Sequence, residues 1–95
     1  MAQNQIIVTC PVGVWTQLTN ADVTVASFQV RKAATQIRFT ADATQPDADD
    51  DAGYIYGPME GEKLSALSDI TPLAGAVRIW AKPCGAASEV FVDHN

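Results

Sequence analysis

Four carboxylates crowd a five-residue stretch, Asp47, Asp49, Asp50 and Asp51, and such an oxygen-rich loop is the one cluster here that could hold a hard cation. Calcium takes about six to eight oxygens, and its twelve-residue loop in helix–loop–helix sites needs a glycine at the sixth position and a closing glutamate. This segment has neither. A solvated loop, kept extended by mutual repulsion, is the plainer reading, and no metal ligand is assigned. Nucleophilic catalysis would need Cys10 or Cys84 beside His94, the single histidine. His94 stands next to the C-terminus, where chain ends fray, and no local sequence supports the pair. Paired carboxylates for glycoside hydrolysis would have to come from Glu60, Glu62 or Glu89, and the first two flank Gly61 in an expected surface turn. No glycine-rich strand-to-helix turn is present to cradle a phosphate. No catalytic residue and no cofactor is assigned, and the chain is read as a non-enzyme.

The aromatic residues remain. Trp15, Tyr54, Tyr56, Trp80 and Phe91 could form a stacking platform for a sugar, as in carbohydrate-binding sandwiches, or belong to core and subunit contact. Two of them lie in the last third of the chain, where 76–82 and 87–93 both alternate with a period of two around Pro83-Cys84-Gly85. That pattern predicts a β-hairpin. Val77, Ile79, Val90 and Val92 would point into a core, leaving Arg78, Trp80 and Lys82 beside Glu89, Phe91 and Asp93 on the outer face. A free monomer has little reason to present that mixture to water. Arg78, Trp80, Glu89 and Phe91 are therefore the candidate interface residues.

The elements that must carry these residues are short. Asn4 to Thr9 reads as a first strand, ended by Pro11 and Gly13, and Val14 to Leu18 as a second, followed by a turn over Thr19-Asn20-Ala21-Asp22. From Asp22 to Lys32 the phase changes: Val23 and Val25 share one parity, Phe28 and Val30 the other. Burying both pairs requires one extra residue, which predicts a β-bulge near Ala26-Ser27. Thr35 to Asp42 is the cleanest amphipathic strand, with Ile37 and Phe39 inward and Gln36, Arg38 and Thr40 toward water. Tyr54 to Tyr56 is a short strand between glycines, Lys63 to Leu67 another candidate. Leu64, Leu67, Ile70 and Leu73 recur every three residues, which suits one helical turn around Ser68 to Leu73. The expectation is an all-β fold: a small antiparallel β-sandwich, jelly-roll or Ig-like, of seven to eight short strands with one short helical turn, in a single domain over 1–95.

The totals narrow the partners. With 95 residues there is room for one layered core, and 47% hydrophobic residues exclude a disordered chain. A net charge of −5, with only six Lys and Arg spread along the sequence, argues against nucleic acid. The apolar runs are too short for a membrane span. The start, Met1-Ala2-Gln3-Asn4-Gln5, lacks the pattern of a signal peptide, so a cytoplasmic origin is expected. Cys10 and Cys84 each adjoin a proline at a turn, and in that compartment two free thiols are the expectation.

Several of these stretches together resemble small β-sandwich virion proteins of tailed bacteriophages, of the head-decoration or appendage-base type. The resemblance rests on Gly13-Val14-Trp15-Thr16-Gln17-Leu18-Thr19, on the strand from Asp22 to Val30, on Gly61-Glu62-Lys63-Leu64, and on Arg78-Ile79-Trp80-Ala81 with Val90-Phe91-Val92-Asp93-His94. It covers most of the chain, and the acidic loop from Gln45 to Ala52 is longer than the pattern. It implies a structural role. The protein would be a head decoration (cement) protein that binds and stabilises a capsid, or else a tail, neck or fibre-base component. Its partners would be the major capsid protein or other virion proteins, it would form a symmetric homo-oligomer, and it would reside in the virion after assembly in the host cytoplasm. A carbohydrate-binding module is the alternative from a different class.

Overall fold

A computed structural model describes residues 4–19 and 22–94. Its strands are β1 (Asn4–Cys10), β2 (Thr16–Gln17), β3 (Val25–Val30), β4 (Thr35–Thr40), β5 (Tyr54–Tyr56), β6 (Gly61–Ala66), β7 (Arg78–Pro83) and β8 (Ser88–His94), with one helical turn, α1 (Leu67–Ile70), between β6 and β7. They form two four-stranded sheets, ordered β1-β8-β3-β6 and β2-β7-β4-β5, and the pairings are antiparallel. The protein is thus the small all-β sandwich that the alternating strands predict. The strand order is that of a jelly roll, eight strands wound as two Greek keys. The central turn of the expected loop Thr19–Asp22, at positions 20 and 21, lies outside the described residues, as does the side chain of Leu64 in the leucine series. Of the remainder, α1 is one turn with Leu67 buried beneath it, but it ends at Ile70, before the expected end at Leu73, and Leu73 is exposed.

The two sheets meet through Val30, Ile37, Ile79, Val90 and Val92, all fully buried. Phe28 ties the layers together. Its ring lies edge-on to Tyr56 at 5.2 Å and tilted to Phe39 at 6.4 Å, within the range at which aromatic pairs add to simple burial. β3 and β8 bury every second residue, as the period of a pleated strand requires, whereas β4 and β7 are buried on both faces over part of their length. In β8 the buried set is Ser88, Val90, Val92 and His94. His94 is therefore a buried member of a central strand, not a frayed end.

Three expectations about local structure are corrected. The stretches around Pro83-Cys84-Gly85 do not form a hairpin: β7 pairs with β2 and β4, whereas β8 pairs with β1 and β3. The turn carries the chain from one sheet to the other, so Arg78 and Trp80 lie on one outer surface and Glu89 and Phe91 on the opposite one. Alternation declares a strand but not its partner, because hydrogen bonding between strands is non-local. The irregularity near Ala26-Ser27 is present, but the extra residue belongs to β6. Ala26 faces Ser65 and Phe28 faces Glu62, so Lys63 and Leu64 together oppose Ser27. Val23 is buried ahead of β3, its amide bonded to the Val77 carbonyl, and Ala26 takes the next inward place, which leaves Val25 exposed. Finally, Gln36 is buried rather than turned to water.

Gly61 begins β6 at a point where no other residue fits. A Cβ there would stand 1.9 Å from the Phe28 carbonyl oxygen and 2.8 Å from the Gln29 Cα. The close approach of β6 to β3 just before the bulge depends on that missing atom.

Candidate interaction surface

The acidic segment solves one half of the surface problem. Asp51 is exposed and Asp50 partly so, as expected, but both are fastened; 45–53 lies as a strap across the outer surface of β4 and β7. Lys82 is the clamp. Only 5% exposed, its Nζ donates to the carbonyls of Ala48 (2.9 Å) and Asp50 (3.1 Å) and to the Asp51 carboxylate (2.6 Å), and it sits 5.2 Å from the centre of the Trp15 ring. Arg38 pairs with Asp50 at 2.5 Å, the Trp15 indole N–H donates to the Asp50 carbonyl at 2.9 Å, and the Gln45 amide donates back to the Trp15 carbonyl at 2.7 Å. A buried ammonium is tolerated because its three protons all have acceptors and an aromatic face lies beside it. The hydrogen bonds from Arg38 and Lys82 hold the Asp50 and Asp51 carboxyls below their ordinary range.

Trp80, expected to need a neighbouring subunit, is 4% exposed within the single chain. It stands between Gln17 and Arg38 in the ladder and gives its indole N–H to the Thr40 hydroxyl at 2.8 Å. Arg78 is tied to Asp22 at 2.7 Å. Both candidates on this surface are satisfied by the chain itself, while Ile55 of β5, level with Gln36, is left exposed.

The opposite surface is open. On β8, Glu89, Phe91 and Asp93 face outward, level with Thr9, Ile7 and Gln5 of β1 and, for the last two, with Gln29 and Ser27 of β3. Ile7 is half exposed. A groove of about 690 Å³ runs over β8, β3 and β6, bordered by Phe91, Gln29, Arg31, Met59, Lys63 and Asp93. The Arg31 guanidinium lies 5.3 Å from the centre of the Phe91 ring, and Lys32 pairs with Glu89 at 3.3 Å. Of the interface candidates, this surface therefore holds Glu89 and Phe91, and not Arg78 and Trp80.

One residue beside the groove escapes a sequence reading. Met59 has φ = 72°, the single non-glycine at positive φ among the described residues. The Glu60 N–H donates to the Gly57 carbonyl at 3.0 Å, closing a four-residue turn with Pro58 second and Met59 third. With positive φ, that third place favours glycine or asparagine. The turn is pinned to β3: the Met59 N–H donates to the Val30 carbonyl at 2.6 Å, the Val30 N–H to Glu60 at 2.9 Å, and the Gln29 amide to the Met59 carbonyl at 3.3 Å. The result is a methionine side chain 66% exposed at the rim of the groove. Gly57-Pro58-Met59-Glu60 signals the turn, but nothing in the sequence marks the third position as strained.

Cys10 is buried, its thiol pushed up to about 11 by desolvation, so it stays protonated at neutral pH and is a poor nucleophile. Cys84 is exposed, and the two thiols are not bonded to each other. No group of three metal-ligating side chains occurs among the described residues, and no helix among them is long and apolar enough to cross a membrane. The five aromatics do not converge into a platform: Trp15 and Trp80 are buried on the strap side, Tyr56 packs on Phe28, Tyr54 leans on Phe39 at 6.2 Å, and Phe91 stands on the far surface. No family model, curated protein or solved structure matches this chain.

Proposed function

We propose that the protein is a non-enzymatic assembly component, a virion structural protein of a tailed bacteriophage, acting as a head decoration protein that binds and stabilises the capsid. A tail, neck or fibre-base location would use the same surface. The observation that carries the reading is Met59. Backbone strain of this kind costs on the order of 1 kcal/mol or more and persists only where surrounding structure enforces it. Here the surroundings use it to hold an unbranched apolar side chain out of the fold, at the rim of the groove that Phe91 and Arg31 also line. Methionine, aromatic residues and arginine are the types enriched at the centres of protein contacts. Weak contacts of this size become effective through the repetition of a symmetric shell.

The test is co-sedimentation with capsids, comparing the natural chain with Met59→Gly and with Phe91→Ala. Both variants are expected to keep the fold by circular dichroism and to lose binding by about tenfold or more, as central contact residues do. Retained binding in both would refute the surface, and no sedimentation by the natural chain with heads or tails would refute the virion role.

A further inference from the structure

Charge is distributed unevenly between the two outer surfaces. The chain has six Lys and Arg, and four of them are committed to ion pairs: Lys32 with Glu89, Arg38 with Asp50, Arg78 with Asp22 and Lys82 with Asp51. The two without an ion pair among the described residues, Arg31 and Lys63, both border the groove. On a molecule of net charge −5 that is where cations are left over. Glu62 and Asp93 also border the groove, accepting hydrogen bonds from the Tyr56 hydroxyl and the Gln5 amide, so two cations stand there beside two carboxylates and the groove is far less negative than the strap. Across the sandwich, the strap presents the complement. Asp50 and Asp51 are used to fasten it, but Asp47 and Asp49 are exposed and have no ion pair among the described residues. Pro46, Ala48 and Ala52 beside them are small and apolar enough to meet Met59 and Phe91.

We infer that a second copy of this chain occupies the groove, laying its strap over Met59 and Phe91 with Asp47 and Asp49 set against Lys63 and Arg31. This rests on the assembly reading and names its first partner. The contact joins two different surfaces, so it is head-to-tail. Such a contact closes into a ring if each step rotates enough and otherwise extends as a stack. Opposed potentials steer the two surfaces together and fix their orientation more than they add affinity, so the assembly weakens as salt is added.

Two charge-reversed proteins test it, sized by light scattering and sedimentation at low salt. One carries Arg31→Glu with Lys63→Glu, the other Asp47→Lys with Asp49→Lys. Each alone presents like charges on both mating surfaces and is expected to dissociate at least about tenfold more readily than the natural chain. Mixed one to one, the reversed groove meets the reversed strap, and association is expected to return. A natural chain that stays monomeric at all concentrations overturns the inference, whereas the assembly role stands or falls separately on capsid co-sedimentation. Oligomers that survive either reversal, or that fail to return on mixing, overturn it as well. If a reversed protein does not fold, Lys63→Gln and Asp49→Asn replace the pair, and an unchanged dissociation constant for either refutes the contact.

Discussion

At the scale of single residues, Met59 and Lys82 invite opposite experiments. Met59→Gly removes a positive-φ penalty from the third place of the Gly57–Glu60 turn, so the folded protein is expected to gain up to about 1 kcal/mol in urea unfolding while losing its partner. A residue kept for packing alone would lose stability on truncation. Lys82→Ala does the reverse. It strips three hydrogen bonds from the strap and opens space beside Trp15, and a loss on the order of 2 kcal/mol is expected, since hydrogen bonds to charged groups are the stronger class. The strap also answers to pH. Asp50 and Asp51 have carboxyls lowered from 3.8 by Arg38 and Lys82, so their contribution is complete above that value and is lost as pH falls through the depressed values. Urea midpoints measured from neutral pH down to about pH 2.5 are expected to fall less steeply in Asp50→Asn with Asp51→Asn than in the natural chain.

At the scale of elements, β3 and β6 carry the sharpest prediction. Gly61→Ala drives a methyl into the Phe28 carbonyl, and roughly 1–3 kcal/mol of destabilisation is expected as the strands are forced apart. Phe28→Ala, which empties the contact with Phe39 and Tyr56, should cost about 3–5 kcal/mol; thermal unfolding of the two variants checks both figures. The strands themselves were legible because alternation is a local signal: Ile37 and Phe39, or Val90 and Val92, declare their inward side within a few residues. Their partners were not. β7 and β8 are neighbours in sequence and read as a hairpin, yet their hydrogen bonds run to four other strands. The bulge was legible in place but not in strand, because the phase change in β3 is met by an added residue across the ladder. The strap was missed for the same reason. Its carboxylates are mostly exposed, as a solvated loop predicts, but nothing local shows that Lys82 and Trp15, 31 to 35 residues away, fasten the segment to the sheet.

At the scale of the whole molecule, the sandwich has one surface closed by its own chain around Arg78, Trp80 and Lys82 and one left open. That asymmetry is what a sequence of alternating strands could not express, since Trp80 and Phe91 look equivalent in it. Once the sheets are assembled, Trp80 is covered and bonded to Thr40 while Phe91 borders a groove. The assignment of Glu89 and Phe91 to contact, and of Arg78 and Trp80 to internal support, predicts that Arg78→Ala lowers the melting temperature and leaves partner affinity alone. Glu89→Ala, on a rim paired with Lys32, should change stability by less than about 1 kcal/mol. Calorimetry of the two variants beside a capsid-binding assay separates them.

The position of β8 sets the timetable of folding. β8 runs between β1 and β3, pairing Asn4 with His94 on one side and Val30 with Val90 on the other. Until it arrives, β1 has no ladder partner and β3 is paired with β6 alone. A ribosome therefore makes every other strand of that sheet before the one that joins them, and the sheet closes only after the rest of the domain has been synthesised. Contacts between such distant segments form slowly, and the waiting β1 and β3 offer unpaired edges to any nascent chain nearby. Entry of β8 into its slot is thus the step that closes this sheet, and chains still waiting for it are where aggregation is expected to begin.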